Sequence, residues 1–157
     1  VRIPPRIVAA TVDANGERTE TPRPDGVYVV SPDTAKTVRN MFRSVTQDDN
    51  GNQRGTGVAA GVEGYQISGK TGTAQQVDPE CKCYSNSKYW ITFAGIAPAD
   101  DPRYVIGIML DAPSRSADGS GGQSAAPLFH NIASWLLQRD SVPMSADPGP
   151  KLVLQAD

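Results

Sequence analysis

The chain has 157 residues, 38% of them hydrophobic and 6% aromatic, with 15 glycines and 13 prolines, a composition that suits one turn-rich domain round one core and excludes disorder throughout. Fifteen Lys and Arg against seventeen Asp and Glu give a net charge of −2, with no block of like charge to bind nucleic acid or an anionic membrane, so nucleic acid is not an expected partner. No apolar stretch approaches the roughly 20 residues that cross a bilayer, no secretory leader is visible at Val1, and any anchor is expected upstream.

Residues 3–14 alternate loosely and end in Asp13-Ala14-Asn15-Gly16, a hairpin-turn signal that predicts a strand pair over about 6–29. Ser31-Pro32-Asp33 starts a helix, with Ser31 as cap, Pro32 at the first helical position and Asp33 near the positive end of the dipole. Ala35, Val38, Phe42 and Val45 recur at helical spacing, so the helix is expected to reach about 46 and turn that face inward. A polar, glycine-containing stretch, 47–57, follows.

Residues 65–77 suit a strand punctuated by glycines, and 78–88 read as a polar linker. Tyr89–Ala97 and Tyr104–Leu110 are two apolar strands joined by about five residues, which predicts an antiparallel pair, because a parallel pair needs a longer crossover. Their near-continuous apolar character suggests cover on both faces. Ser114–Gly122 is a loop, and Ala125, Leu128, Phe129, Ile132, Ala133 and Leu136 mark an amphipathic helix that covers the sheet, with Pro127 tolerated in its first turn. Residues 141–157 read as a mobile tail. Trp90 and Trp135 are expected in the core or in helix–sheet packing, His130 in a structural or solvent-facing role, and Asp111 at a strand end.

For Cys81 and Cys83, one residue apart, three readings stay open: inert or weakly bridged surface cysteines, a disulfide made in an oxidising compartment, or a metal pair. A metal would need ligands from elsewhere, and the one histidine lies far off in sequence. No metal or other cofactor is expected.

Three motifs compete for the chemistry. Gly64 to Thr71 spells the phosphate-loop pattern G-x-x-x-x-G-K-T. A phosphate loop must open a helix whose free amides receive the phosphates, whereas here a glycine, β-branched residues and Pro79 follow. Ser85-Asn86-Ser87-Lys88 spells S-x-x-K, but in a polar linker with nothing to hold the serine rigidly. Lys70-Thr71-Gly72-Thr73, read as an edge strand beside a cleft, makes better chemical sense. Lys70 then gives a fixed charge near a substrate carboxylate, the threonine hydroxyls donate to that carboxylate, Gly72 permits close approach, and an amide near Thr73 can face an acyl oxyanion. Simple alternation puts Thr71 and Thr73 on the face opposite Lys70 and Gly72.

With these residues in place, the chain resembles the penicillin-binding transpeptidases, and more narrowly their class B, cell-division (septal peptidoglycan) type. The matching stretches are Gly55-Thr56-Gly57, Gly64 to Gln75, Phe93 to Tyr104 and Gly121 to Phe129, and their order and spacing extend the likeness over about residues 1–140. The resemblance implies an α/β fold of the α+β type, a mostly antiparallel sheet covered by helices as in the penicillin-binding and serine β-lactamase-like enzymes, incomplete in this chain.

It implies a serine D,D-transpeptidase that is acylated by stem peptides ending in D-Ala-D-Ala, or by β-lactam antibiotics, and passes the acyl group to a neighbouring amine. Carried over, Lys70 lines the cleft, Thr71 and Thr73 hold the carboxylate, Gly72 allows close approach and the Thr73 amide is half of the oxyanion hole. The family's S-x-x-K and S-x-N motifs precede K-T-G, and neither occurs before Lys70. The chain is therefore expected to be a fragment, inert alone, of an anchored extracytoplasmic enzyme, its partners being the missing N-terminal part of the domain and other cell-division proteins. A D,D-carboxypeptidase or penicillin-hydrolysing relative, a β-lactam or peptidoglycan sensor, and a nucleotide-binding protein are the rivals.

Overall fold

A computed structural model describes residues 1–48, 54–114 and 120–146. The chain divides into two compact units, Val1–Thr37 and Val38–Asp157, and every residue of the hydrophobic core lies in the second. The single core expected from composition is thus the core of the second unit.

In the first unit, β1 (Ala10–Val12) and β2 (Arg18–Glu20) pair antiparallel with Thr11 opposite Thr19. Their turn is the one the sequence marks: Asp13 Oδ1 accepts the amides of Asn15 and Glu17 at 2.9 and 2.8 Å, and Gly16 takes φ +84°. The strands are far shorter than the span of 6–29 expected. Pro4, Pro5, Pro22 and Pro24 carry no amide proton and flank the pair, so the ladder cannot extend through them; beyond it, one isolated bridge joins Arg2 and Val27.

Helix α1 covers Pro32–Met41 and begins as predicted, with the Thr34 amide donating to Ser31 Oγ at 3.1 Å. It stops at Met41, and Phe42–Val45 tighten into a 3-10 turn. The inward face is only partly realised: Val45 packs on the core, whereas Val38 and Phe42 stay 43% and 41% exposed. Helical spacing identifies an apolar stripe without saying what covers it.

The second unit is built on a three-stranded antiparallel sheet in the order β3-β4-β5, with β3 at Ser68–Val77, β4 at Tyr84–Ala97 and β5 at Tyr104–Asp111. Strand β4 starts inside the stretch read as a polar linker, because Tyr84 pairs with Val77 beyond a register shift between Gln75 and Val77. Along β4, Ile91, Phe93, Gly95 and Ala97 are buried beneath helix α2 (Ala125–Arg139), whereas Trp90 and Ala94 face outward. Val105 and Met109 of β5 are also exposed, at 81% and 68%. Within the described residues the sheet is covered on one face only, by α2, and the second cover that its apolar outer residues call for lies outside them.

Ala125, Phe129, Ala133 and Leu137, each four residues apart, form the buried stripe of α2, while Leu128 and Ile132 are half-exposed. Gly95 lets the helix approach, since a Cβ there would lie 2.6 Å from the Phe129 ring, and Phe93 and Phe129 meet at 4.9 Å with their planes inclined by 58°. Trp90 and Trp135 do not fill the core as expected; Trp135 is 58% exposed beneath the Arg139 guanidinium. Residues 141–146, assigned to a tail, are held in place. Val142 is buried, its carbonyl accepts from the Tyr65 hydroxyl at 2.7 Å, and the Ser145 amide donates to the Gly64 carbonyl at 2.9 Å. The rest of that assignment, 147–157, lies outside the described residues.

Candidate active site

Residues 70–73 lie in mid-strand on β3, which among the described residues pairs with β4 alone and forms an edge of the sheet. Lys70 and Thr71 continue as strand to Val77 and open no helix, which removes the phosphate-loop reading. The adjoining β4–β5 pair is likewise antiparallel, unlike the parallel strands of nucleotide-binding folds.

The register places Thr71 opposite Phe93 and Thr73 opposite Ile91, with Lys70 and Gly72 opposite Ala94 and Thr92. The threonines are therefore on the α2 face and Lys70 on the other, as alternation requires. Lys70 is exposed and its Nζ donates to the Thr71 carbonyl at 2.8 Å. Gly72 has a reason beyond ligand approach: a Cβ there would stand 2.3 Å from Thr92 Oγ1.

The structure adds a residue to which the sequence assigned no role. Thr56 Oγ1 lies 3.2 Å from Thr71 Oγ1. Its backbone is fixed on both sides, because the Gly55 amide donates to the Gln47 carbonyl at 2.7 Å and the Gly57 amide to that of Val45 at 2.8 Å. Gly122, just before α2, presses on the Thr56 carbonyl, and Gly121 lies over the backbones of Gly72 and Thr92. The sequence signals were the pairs Gly55/Gly57 and Gly121/Gly122, glycines where chains must approach closely.

Arg54, Gly55 and Thr56 line two adjoining depressions. One, of about 270 Å³, extends to Ser44, Val45 and Lys70, and the other, of about 330 Å³, to Ser120, Gly122 and Gln123. The segment from Arg54 to Thr56 is thus a wall common to both depressions, with Lys70 on the margin of the smaller one.

The remaining candidates fall outside it. Ser85 is on β4, where its Oγ accepts the amides of Ser87 and Lys88 at 3.2 and 3.0 Å, an arrangement that caps a local turn. Asp111 ends β5 and accepts from Gln76 Nε2 at 2.6 Å. His130 donates from Nδ1 to the Gly61 carbonyl at 2.5 Å, a structural tie. Cys81 and Cys83 are joined in a disulfide at the tip of the β3–β4 hairpin, where the Asp78 carboxylate and carbonyl receive the amides of Glu80 and Lys82. With the two sulfurs bonded to each other neither is a free metal ligand, and the bridge fits a weakly bridged surface pair as well as a disulfide made in an oxidising compartment. Among the described residues no group of His, Cys, Asp and Glu could hold a metal ion, and no helix is long and apolar enough to cross a membrane.

A family model described as the penicillin binding protein transpeptidase domain matches residues 1–134. The chain belongs to this family. It is 68% identical over 157 residues to the penicillin-binding protein PbpB of Mycolicibacterium smegmatis and 67% identical to PbpB of Mycobacterium tuberculosis, in each case over 99% of its own length. It spans 24% and 23% of those relatives, about a quarter of their length. Among solved structures it superposes with a TM-score of 0.89 and 66% identity on penicillin-binding protein 3 of M. tuberculosis crystallised with ampicillin, covering 99% of this chain and 35% of that one. The same protein crystallised with aztreonam gives 0.87 and 64%, covering 34% of that chain. The class B, cell-division placement made from the sequence, and the partial transpeptidase fold, rest on these matches.

Proposed function

We propose that the chain supplies the substrate-holding wall of a serine D,D-transpeptidase that cross-links peptidoglycan stem peptides through an acyl-enzyme. The observation that supports this reading is that β3 is an edge strand, with Lys70 lining the same depression as Arg54 and Thr56 and with Thr56 Oγ1 at 3.2 Å from Thr71 Oγ1. An edge strand can align an extended peptide by main-chain pairing. Thr71 and Thr73 donate hydroxyl hydrogen bonds to the bound carboxylate from the α2 face, Lys70 adds positive charge across the strand from the other face, Gly72 leaves room for the ligand, and the Thr73 amide is one donor to the acyl oxyanion.

The attacking serine and its base are assigned to residues outside this chain, which acts only as part of the complete domain. That remainder also gives a reason for the uncovered face of Trp90, Val105 and Met109: it would pack there. The binding of ampicillin and aztreonam by a relative of 66% and 64% identity supports β-lactams as acylating ligands here. Stem peptides ending in D-Ala-D-Ala, an anchored extracytoplasmic location and other cell-division proteins as partners belong to the same reading.

The test uses the intact transpeptidase with a donor peptide ending in D-Ala-D-Ala, with and without an amine acceptor. Transfer to the amine is expected, whereas release of D-alanine with water alone as acceptor would mean a carboxypeptidase. Lys70→Ala and Thr71→Val should each slow β-lactam acylation about 100-fold, the scale of losing one oriented donor in such a site, and Ser85→Ala should leave it unchanged. Equal loss in the Ser85 variant would overturn the assignment.

A further inference from the structure

We propose that Thr56 is a positioning residue whose hydroxyl donates to Thr71 Oγ1 and thereby aims the Thr71 proton at the substrate carboxylate; this rests on the reading of β3 as the carboxylate-holding strand. A threonine hydroxyl carries one proton and can accept as well as donate. If Thr71 gives its proton to a carboxylate, the 3.2 Å contact with Thr56 Oγ1 can be filled in only one direction. Thr56 must then be the donor and Thr71 the acceptor. The direction fixes the rotor, because accepting from Thr56 directs the Thr71 O–H away from Thr56, and a donor-to-donor chain of this kind strengthens the terminal bond.

The surroundings hold Thr56 to the task. Two backbone hydrogen bonds flank it at 2.7 and 2.8 Å, Gly122 abuts its carbonyl, and a Cβ on Gly57 would stand 3.4 Å from Thr71 Cγ2 and 2.8 Å from the Phe93 ring. Thr56 is nevertheless exposed to the cleft rather than buried in the core. A threonine serving packing alone would bury its methyl group and would gain nothing from a hydroxyl pointed at Thr71.

The experiment is a double-mutant cycle on the intact transpeptidase, reading the second-order rate of acylation by a penicillin and by the same penicillin esterified at its carboxylate. Thr56→Val should slow acylation by the free acid about threefold to tenfold, the factor that one hydrogen bond of ordinary net strength represents. Thr56→Ser should restore it. The same change should have a clearly smaller effect with the ester, whose carbonyl accepts a weaker hydrogen bond than a carboxylate, and none in a Thr71→Val background, where Thr56 has no proton to aim.

Equal slowing of acid and ester would show a packing role and overturn the proposal. Full additivity of the two substitutions would make Thr56 an independent carboxylate contact and overturn it too. If Thr71→Val alone left acylation by the acid unchanged, the underlying reading of β3 would fail, and that outcome is distinct from a silent Thr56.

Discussion

Replacing Gly122 by alanine tests whether the cleft depends on close packing between the start of α2 and the Thr56 segment. A Cβ at this position would stand 2.0 Å from the Thr56 carbonyl oxygen, roughly 1.4 Å inside the 3.4 Å at which ordinary contact begins. Neither side yields easily. The preceding turn is tied to the helix by the Ala126 amide on the Gly121 carbonyl at 2.9 Å, and Thr56 lies between the backbone bonds of Gly55 and Gly57.

Overpacking of this sort costs about 1–3 kcal/mol. A displacement near 1 Å in a positioned group can lower a rate about 100-fold. Gly122→Ala in the intact transpeptidase should therefore lose both melting temperature and β-lactam acylation rate, the latter by about 10- to 100-fold, read by single-turnover labelling with a fluorescent penicillin. Gly61→Ala is the matched control: its φ of −60° suits alanine, and its Cβ would meet nothing closer than 3.2 Å. Gly122→Ala acylating at the parent rate would refute the claim that this contact sets the cleft.

Two further substitutions probe the frame and its charge. Phe93→Ala removes a fully buried ring that packs on Phe129 and fills the space left by Gly57 and Gly69, so chemical denaturation should show a loss of about 3–5 kcal/mol; a loss below about 1 kcal/mol would place the core elsewhere. Asp140 carries a carboxyl held down to about 2, first by the Arg139 guanidinium that bonds it at 2.6 and 3.0 Å and then by the Tyr104 hydroxyl, which pins the start of β5 to the end of α2. The folded value lies below the unfolded 3.8, so the unfolded chain binds more protons between them. This contribution is present above about pH 4 and disappears as pH falls toward 2. Asp140→Asn should flatten that part of the stability–pH curve, and an unchanged slope there would show that the pair is screened by solvent.

What could be read from the sequence is what local chemistry determines. Ser31 caps α1 because its hydroxyl reaches an amide three residues on, the Asp13–Gly16 turn forms because Asp13 and a positive-φ glycine suffice for it, and β3–β5 and α2 follow from residue pattern and short connections. Trp90, Val105 and Met109 are apolar yet exposed in this chain, because apolarity specifies a demand for cover and not which segment supplies it.

The edge strand Lys70–Thr73 could be placed from motif and chemistry together, but its partner Thr56 could not. Fifteen residues separate Thr56 from Thr71, and their meeting depends on two glycine-mediated approaches made by segments with no regular period. The glycines at 55, 57, 121 and 122 were visible in the sequence as parts of a family likeness. Their physical meaning appears only when the atoms that a side chain would strike are known: the Val45 carbonyl for Gly55, the Phe93 ring for Gly57, the Gly72 and Thr92 backbones for Gly121 and the Thr56 carbonyl for Gly122. The cleft wall is therefore set less by the polar residues that line it than by the absence of side chains behind them. It follows that alanine at Gly57, Gly121 or Gly122 should disturb the hydroxyl of Thr71 more than most substitutions of the polar residues around it.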